Sequence, residues 1–377
     1  MRGNANTPDL ALFIPTLGGG GAERVFLNLA NGFVERGYRV DLVLASAQGS
    51  YLSELDSRVQ LVDFRLRLGK GRLALSLFPL IRYLRQRKPK VLLSALTEAN
   101  IIAVLSRIFS FIPIRLFLSE HNTFSIAVKR RSFLKKLLLI FGLRILYRNV
   151  DGIIAVSDGV ASDLKRIIGR AADKIKVIYN PVVTPEMIEK SEEPLEHPWF
   201  APGEPPVILG CGRLTAPKDF ETLIRAFALV RKETPCRLVI LGEGEERQRL
   251  EEIIKELGIE HDVDLPGFVS NPYKYMKRAA VFVLSSKWEG FGNVLAEAMA
   301  VGTPVVSTDC PSGPREILEN GKYGPLVPVG DVKGMAEAIK LALRSSVSGS
   351  FLCERAQAFS LVDVIKQYEE YLGLRKF

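Results

Sequence analysis

Two glutamates eight positions apart, Glu289 and Glu297 in EGFGNVLAE, have residue types and a spacing that suit gripping a phosphorylated sugar. Glycine and turn formers surround the first and helix formers carry the second. The pattern predicts one carboxylate on a loop and the other about a turn and a half into a helix. The N–H groups of such a loop and the positive end of the helix dipole together make a site for phosphate. Carboxylates accept hydrogen bonds from vicinal hydroxyls, so one glutamate can hold a sugar ring while the other holds a ribose of the same nucleotide sugar. Ordinary surface glutamates at a strand-to-helix turn show the same spacing, and the pair needs support from the rest of the chain.

VILGCGRLTAPKDFETLIRAF predicts a buried strand at 207–211, a loop with Arg213 and Lys218, and a helix from about 219 whose apolar face holds Leu223, Ala226, Phe227 and Val230. Arg213 offers a planar fork and Lys218 a mobile point charge, a combination suited to a diphosphate, although loop Arg and Lys are more often merely solvated. Near the start, LALFIPTLGGGGAERVFLNLA predicts a strand, four glycines from Gly18 to Gly21, and a helix. Glycine lets the backbone approach a ligand closely. The loop is neither GxGxxG with an acidic partner nor a Walker loop, since no GK[ST] follows, and by itself it also reads as a flexible turn.

Breaking the bond between an anomeric carbon and a nucleoside diphosphate leaves negative charge on the diphosphate and positive charge on the sugar ring. Catalysis then needs cations and N–H dipoles placed at the phosphates before reaction. Arg213, Lys218, the loop around Gly19 and Gly20, and the amides of Phe291, Gly292 and Asn293, with Val294 adjoining, could supply them without a metal. One D-x-D occurs, Asp262 and Asp264 in HDVDLPGF, but it opens a short strand, and metal binding is the weaker reading.

Together these segments resemble the retaining glycosyltransferases of family 4. The resemblance covers nearly the whole chain and is carried by GGGGAER, SEHN at 119–122, GRLTAPKDFETLIRAF at 212–227, LPGF at 265–268, EGFGNVLAEAMAVGTPVVSTD at 289–309 and GPREIL at 313–318, in the right order and spacing. It implies the GT-B fold, two Rossmann-like α/β domains facing a central cleft with the C-terminal helix crossing back to the N-terminal domain. It implies that Glu289 holds hydroxyls of the transferred sugar, that Glu297 holds the ribose, and that Pro266 to Val269, with Gly267 and Phe268, packs on the base. His121 matches the position that contacts the donor sugar. No second carboxylate is evident opposite Glu289, so the double displacement of retaining hydrolases gains no support. The family's usual proposal is front-face substitution, in which the leaving phosphate activates the acceptor. Glu98 and Glu120 remain as carboxylates that could touch the acceptor. Within the family the motifs look most like bacterial enzymes that use UDP-sugars to extend glycans on a polyprenyl diphosphate carrier or a related envelope glycan.

Residues 1–180 hold 28 Lys/Arg against 13 Asp/Glu, while residues 181–377 hold 23 against 29, so the N-terminal half is the one that meets an anionic partner. Much of that charge lies at 65–90 and 129–148. In the second stretch Arg130, Arg131, Lys135, Lys136, Arg144 and Arg148 interleave with Phe133, Leu137, Ile140, Phe141 and Leu143 to Leu146. An amphipathic helix on an anionic bilayer and a core-facing helix with a solvated basic back both fit. Nucleic acid is disfavoured because no reading motif accompanies the charge. The longest apolar run, 99–114, is interrupted by Arg107 and reads as a buried helix rather than a membrane span. The N-terminus lacks the apolar segment of a signal peptide. The four cysteines, Cys211, Cys236, Cys310 and Cys353, show no metal spacing, and free thiols in a reducing cytosol account for them. The expected place is the cytoplasm, peripheral on the cytoplasmic face of the inner membrane.

Strand-like and helical runs alternate from end to end, which predicts parallel sheets covered by helices. Strands are expected near 10–15, 39–45, 59–63, 91–95, 114–118, 152–156 and 175–178, then near 207–211, 237–241, 263–265, 281–284, 304–306 and 325–327. A Pro- and Glu-rich stretch at 180–206 between the two sets reads as a linker. The expected domains are 1–182 for the acceptor, 183–358 for the nucleotide sugar, and a helix at 359–377 that packs back on the first. Two other classes compete: a nicotinamide dehydrogenase, whose glycine fingerprint is missing, and a catalytically silent membrane-binding module, against which the intact set Glu289, Glu297, Arg213, Lys218 and His121 argues.

Overall fold

The computed structural model describes residues 7–67, 69, 71–127, 133–345 and 347–374. The chain divides into two compact units, Met1–Val182 with Leu361–Phe377, and Val183–Ser360.

In the first unit, short apolar runs become strands β1 (Leu10–Ile14), β2 (Val40–Leu44), β3 (Gln60–Asp63), β4 (Val91–Ala95), β5 (Arg115–Glu120), β6 (Gly152–Ala155) and β7 (Ile175–Val177). They pair in parallel in the order β3-β2-β1-β4-β5-β6-β7, so the winding reverses between β1 and β4. Between them lie α1 (Gly21–Glu35), α2 (Leu77–Arg87), α3 (Thr97–Ser110), α4 (Phe124–Ala127), α5 (Phe133–Leu146) and α6 (Asp158–Ile168). Strand alternation sorts the core into two layers. Leu10, Leu12 and Ile14 face a cluster containing Phe26 and Phe33 of α1, whereas Ala11 and Phe13 face Leu80, Ala103, Leu143 and Leu164 of α2, α3, α5 and α6.

The second unit repeats the plan with β8 (Val207–Cys211), β9 (Arg237–Leu241), β10 (Val263–Gly267), β11 (Val281–Leu284), β12 (Val305–Thr308) and β13 (Leu326–Val327), ordered β10-β9-β8-β11-β12-β13. Its winding reverses between β8 and β11. The helices are α7 (Pro185–Glu192), α8 (Phe220–Glu233), α9 (Arg247–Glu256), α10 (Tyr273–Arg278), α11 (Asn293–Ala300), α12 (Pro314–Ile317), α13 (Val332–Arg344) and α14 (Gly349–Ala356). Each strand read from the sequence occurs within two residues of its expected ends; for the central strands a continuous apolar run is what burial on both faces requires, whereas β3 is largely exposed and β7 half-buried.

Residues 180–206 are not a featureless linker. Thr184 Oγ1 accepts the Met187 amide at 3.1 Å and Pro185 fills the first helical turn, the N-terminal signature that starts α7. Met187 and Ser191 are buried, and His197, Trp199, Phe200 and Tyr275 pack edge to face with ring centres 5.3–6.0 Å apart. From Val183 onward this stretch therefore builds the second unit.

Helix α15 (Leu361–Leu372) belongs to the first unit, where Leu361, Val364, Ile365, Tyr368 and Leu372 are buried in the α1 layer. A Cβ on Gly32 of α1 would lie 2.2 Å from Ile365 Cδ1, so glycine is what lets α15 approach that closely. Phe359 stays with the second unit, its ring 5.2 Å from that of Phe291. Removing most of a buried isoleucine leaves a cavity as well as losing transfer energy. Ile365→Ala is therefore expected to lower stability by about 2–5 kcal/mol in guanidinium unfolding, and no change would show that α15 does not stabilise this unit.

Candidate active site

In doubly wound sheets, the loops leaving the strands on either side of the winding reversal diverge and open a crevice. In the second unit those strands are β8 and β11. The β8–α8 loop carries Arg213 and Lys218, and the β11–α11 loop carries Glu289. Lys218 Nζ lies 2.5 Å from Glu289 Oε1, the same oxygen that Ser286 Oγ approaches at 2.6 Å. Around them, Ser285 Oγ donates to the Lys218 carbonyl, Lys287 Nζ pairs with Asp219 at 3.1 Å, and the Lys287 amide donates to the Pro217 carbonyl at 2.7 Å. Thr308 Oγ1 holds the Ser286 carbonyl at 2.6 Å. The structure thus brings together Lys218 and Glu289, which stand 71 positions apart in the sequence. Arg213 is exposed on the same loop, and its side chain has no ion-pair partner among the described residues.

Several tight backbone contacts shape the rest of this edge. Gly292 has φ 97° at the start of α11, and Gly313 has φ 99° with its Cα so close to the Phe291 carbonyl that a Cβ would stand 1.8 Å from that oxygen. Asn293 and Val294 open α11 and are half-buried, while Glu297 is buried one turn further on. The Phe291 side chain points into the core, so only its backbone can meet a ligand. Gly267 has φ 89° and ends β10; Phe268 beside it is 57% exposed, a free apolar face at the edge where β10 leaves the sheet. Burial pushes the thiols of Cys211 and Cys310 up to about 12, with the charges of Glu297 and Glu289 respectively adding to the effect, so both are neutral at pH 7. Asp262 is paired with Arg231 at 2.9 Å and Asp264 with His197 at 3.0 Å, so the two carboxylates of the D-x-D are held by different partners.

The sequence reading missed Ser286, Thr308, Asp219 and Lys287. Serines ending a strand and a lysine in a loop are too common to stand out, and only the fold shows that they brace Glu289 and Lys218.

In the first unit the reversal lies between β1 and β4, and the β1–α1 loop is the glycine run. Gly19 has φ 97°, as a turn glycine should, and Tyr51 Oη donates to its carbonyl. Over Gly20 lies the Glu23 carboxylate, 2.2 Å from where a Cβ would be, so an anion approaching Gly20 meets a carboxylate first. Arg24 does not reach outward: both its terminal nitrogens bind Glu54, and its guanidinium covers the Tyr51 ring at 3.8 Å.

His121 follows β5 and is 8% exposed, with Nε2 2.9 Å from Ser119 Oγ and the Phe26 ring edge-on at 6.2 Å. Burial drives its pKa down to about 4, so the ring is neutral at pH 7. Glu120 does not face an acceptor. It is buried and binds Thr97 Oγ1 at 2.9 Å, Asn100 Nδ2 at 2.8 Å and the Tyr147 hydroxyl, and desolvation raises its pKa. Glu98 is exposed in the first turn of α3.

Arg130 and Arg131 lie outside the described residues, as do the side chains of Lys135 and Lys136. On α5 the exposed Leu137, Phe141 and Ile145 recur every four residues and form one stripe, while Leu143 is buried and Arg144 turns to the Ile167 carbonyl at 2.7 Å. The described outer side of α5 thus carries an apolar stripe, with Arg144 exposed beside it. The run 99–114 is not uniformly buried either: α3 ends in exposed Ile108 and Phe109, followed by Phe111 at 82% exposure. Among the described residues no helix is long and apolar enough to cross a membrane.

Doubly wound units with polar loops at their reversal points are shared by several enzyme classes, and comparison with known proteins decides among them. Residues 19–185 match the family model described as Glycosyltransferase Family 4, and residues 192–359 match Glycosyl transferases group 1. The chain is 33% identical, over 96% of its length and 99% of the relative's, to the N-acetylgalactosamine-N,N'-diacetylbacillosaminyl-diphospho-undecaprenol 4-alpha-N-acetylgalactosaminyltransferase of Campylobacter jejuni. It is 29% identical, over 89% of each chain, to the lipopolysaccharide core biosynthesis glycosyltransferase LpsE of Rhizobium meliloti. Among solved structures, Anabaena HepE in complex with UDP superposes with TM-score 0.78 at 21% identity, over 97% of this chain and all of that one. The lipopolysaccharide outer core galactosyltransferase WaaB superposes with TM-score 0.70 at 21% identity, over 97% and 99%. The chain belongs to glycosyltransferase family 4; it is a glycosyltransferase with two parallel-sheet α/β domains of the GT-B class, which sets aside the dehydrogenase.

The histidine sets a pH dependence. The unfolded chain protonates His121 near its ordinary value of about 6.5, whereas the folded chain resists until about 4. The unfolded state therefore binds more protons in that window, and stability falls as pH drops through it, by about 3 kcal/mol in all. Unfolding of His121→Asn compared with wild type across pH 4–7 should show the difference, and parallel curves would refute it.

Proposed function

We propose that the protein transfers a hexose or N-acetylhexosamine from a UDP-sugar to a lipid-linked oligosaccharide or envelope glycan, with retention and without a metal. The observation that carries this is the meeting of Lys218 with Glu289 at the β8/β11 reversal of the second unit, on a loop that also carries exposed Arg213. The Campylobacter relative, whose name places its acceptor on diphospho-undecaprenol, favours the lipid-linked class, and the UDP bound by HepE favours the nucleotide.

In this reading the diphosphate lies against Arg213 and Lys218 and the N-terminus of α11. Glu289 accepts hydrogen bonds from hydroxyls of the transferred sugar, Glu297 from the ribose, and the Gly267–Phe268 turn covers the base. Donor binding loosens Lys218 from Glu289, freeing the ammonium for phosphate and the carboxylate for sugar hydroxyls. As the anomeric C–O bond breaks, charge grows on the β-phosphate where Lys218 and the helix dipole lie. The acceptor hydroxyl attacks from the same face, its proton passing to the departing phosphate oxygen. Two cationic groups and a helix dipole supply the charge that a metal supplies elsewhere. We assign the acceptor to the first unit, and the protein to the cytoplasmic face of the inner membrane.

Turnover tests the reaction. UDP release from a UDP-sugar panel with a polyprenyl diphosphate glycan should proceed unchanged in EDTA, and Glu289→Gln should lower kcat by about 10²-fold or more. Dependence on added Mn²⁺ or Mg²⁺ would overturn the metal-free reading, and absence of turnover with every donor would favour a silent module.

Membrane association rests on the basic first unit and on exposed Leu137, Phe141 and Ile145, since apolar insertion and attraction to anionic lipid act together. In flotation at physiological salt the protein should rise with vesicles containing anionic phospholipid, and Phe141→Ser with Leu137→Ser should abolish it. Equal binding to neutral vesicles, or none to either, counts against an anionic docking surface.

A further inference from the structure

We infer that Arg355 of α14 is a positioning residue for Glu289. It clamps α12 and, through the turn that precedes α12, sets where the β11–α11 loop holds its carboxylate. The inference lies within the second unit and rests on the reading that Glu289 grips the transferred sugar.

The turn Pro311–Gly313 leads from β12 to α12 and holds the loop on both sides of Gly290. The Glu289 amide donates to the Pro311 carbonyl at 3.2 Å, and Gly313 lies against the Phe291 carbonyl with no room for a side chain. Ser312 has φ 69° and Gly313 φ 99°. The left-handed region is costly for a serine, so the shape of this turn has to be imposed from its two ends. One end is a strand of the sheet. The other is α12, whose four residues are too few to hold a helix by their own hydrogen bonds.

Arg355 supplies what α12 lacks. The last carbonyls of a helix need donors from outside it. Arg355 Nε donates to the Ile317 carbonyl at 2.9 Å and Nη2 to the Glu316 carbonyl at 2.8 Å, while Nη1 pairs with Glu319 at 3.2 Å. A planar fork fits two successive carbonyls, which a point charge on a flexible stem does not reproduce. Two further contacts converge on the same loop. The guanidinium lies 4.9 Å from the centre of the Phe359 ring, whose other neighbour is Phe291 at 5.2 Å. Ile317, fully buried, brings its Cδ1 to 3.8 Å from where a Cβ on Gly292 would stand. The Arg355 side chain is 14% exposed and acts through α12 and Phe359 rather than by touching substrate.

Hydrogen exchange and turnover test the clamp separately. Arg355→Met keeps an apolar stem and loses the fork. In this variant the backbone amides of 286–293 should exchange about tenfold faster than in wild type, while those of β8 keep their rate. Equal protection of 286–293 in the two proteins would overturn the clamp without any substrate being present. At saturating UDP-sugar and acceptor, kcat should fall by about tenfold to a hundredfold, since a displacement of about 1 Å at a reacting group has that effect. A loss that runs through Glu289 should largely disappear once Glu289 is removed. The double variant Arg355→Met, Glu289→Gln should therefore stay within about threefold of Glu289→Gln alone. Losses that multiply would make Arg355 a support of the fold and overturn its role toward Glu289. Should Arg355→Met fail to fold, Arg355→Lys, which keeps the charge without the fork, gives both readouts. Unchanged kcat in Glu289→Gln itself would remove that carboxylate from the reaction, a failure of the underlying reading that the exchange rates report separately.

Discussion

The paired strands of each sheet run parallel to their neighbours, and a parallel sheet sends every chain segment that leaves a strand to the same edge. Loops of very different sequence position must then gather there. The glycine run follows β1, His121 follows β5, Arg213 and Lys218 follow β8, and Glu289 follows β11. Reversal of the winding at β1/β4 and at β8/β11 pulls neighbouring crossovers to opposite faces and leaves room between the loops they start. The sheet is therefore what places the chemistry, and the core that holds the sheet holds the site.

Charge at those edges is arranged by solvation. Lys218 and Glu289 are each partly exposed, with side-chain exposures of 23% and 12%, so the pair keeps contact with water. A fully buried pair broken on one side would leave an uncompensated charge at a cost of several kcal/mol. Glu120 shows the contrasting solution. It is sealed in and satisfied by three neutral donors rather than a cation, which ties α3, β5 and the residues after α5 together directly beneath His121.

Legibility in the sequence tracked how local the governing interaction is. Strands were readable because burial on both faces demands apolar residues in sequence. The Thr184-Pro185 start of α7 was also a local signal, but it is embedded in a stretch rich in Pro and Glu, and its support comes from α10, some 80 residues away. For α5 and the end of α3, periodicity could not tell an apolar stripe facing the core from one facing out, since both repeat every three to four residues. Glu120 resembled an available carboxylate because nothing next to it in the chain reveals Asn100, Thr97 and Tyr147 as its partners.

The sequence alone determined the two α/β units, the succession of their strands along the chain and which loops carry the polar residues, because apolar runs, glycine and helix signals act over a few neighbouring positions. It also carried the family motifs at Gly18 to Gly21, Arg213 to Lys218 and Glu289 to Glu297. Tertiary structure decided which residues meet: Lys218 with Glu289, Asp262 with Arg231, and Glu120 with Tyr147. Those pairings depend on sheet order and on burial of side chains from distant segments, and a linear sequence encodes distance along the chain, not distance in space.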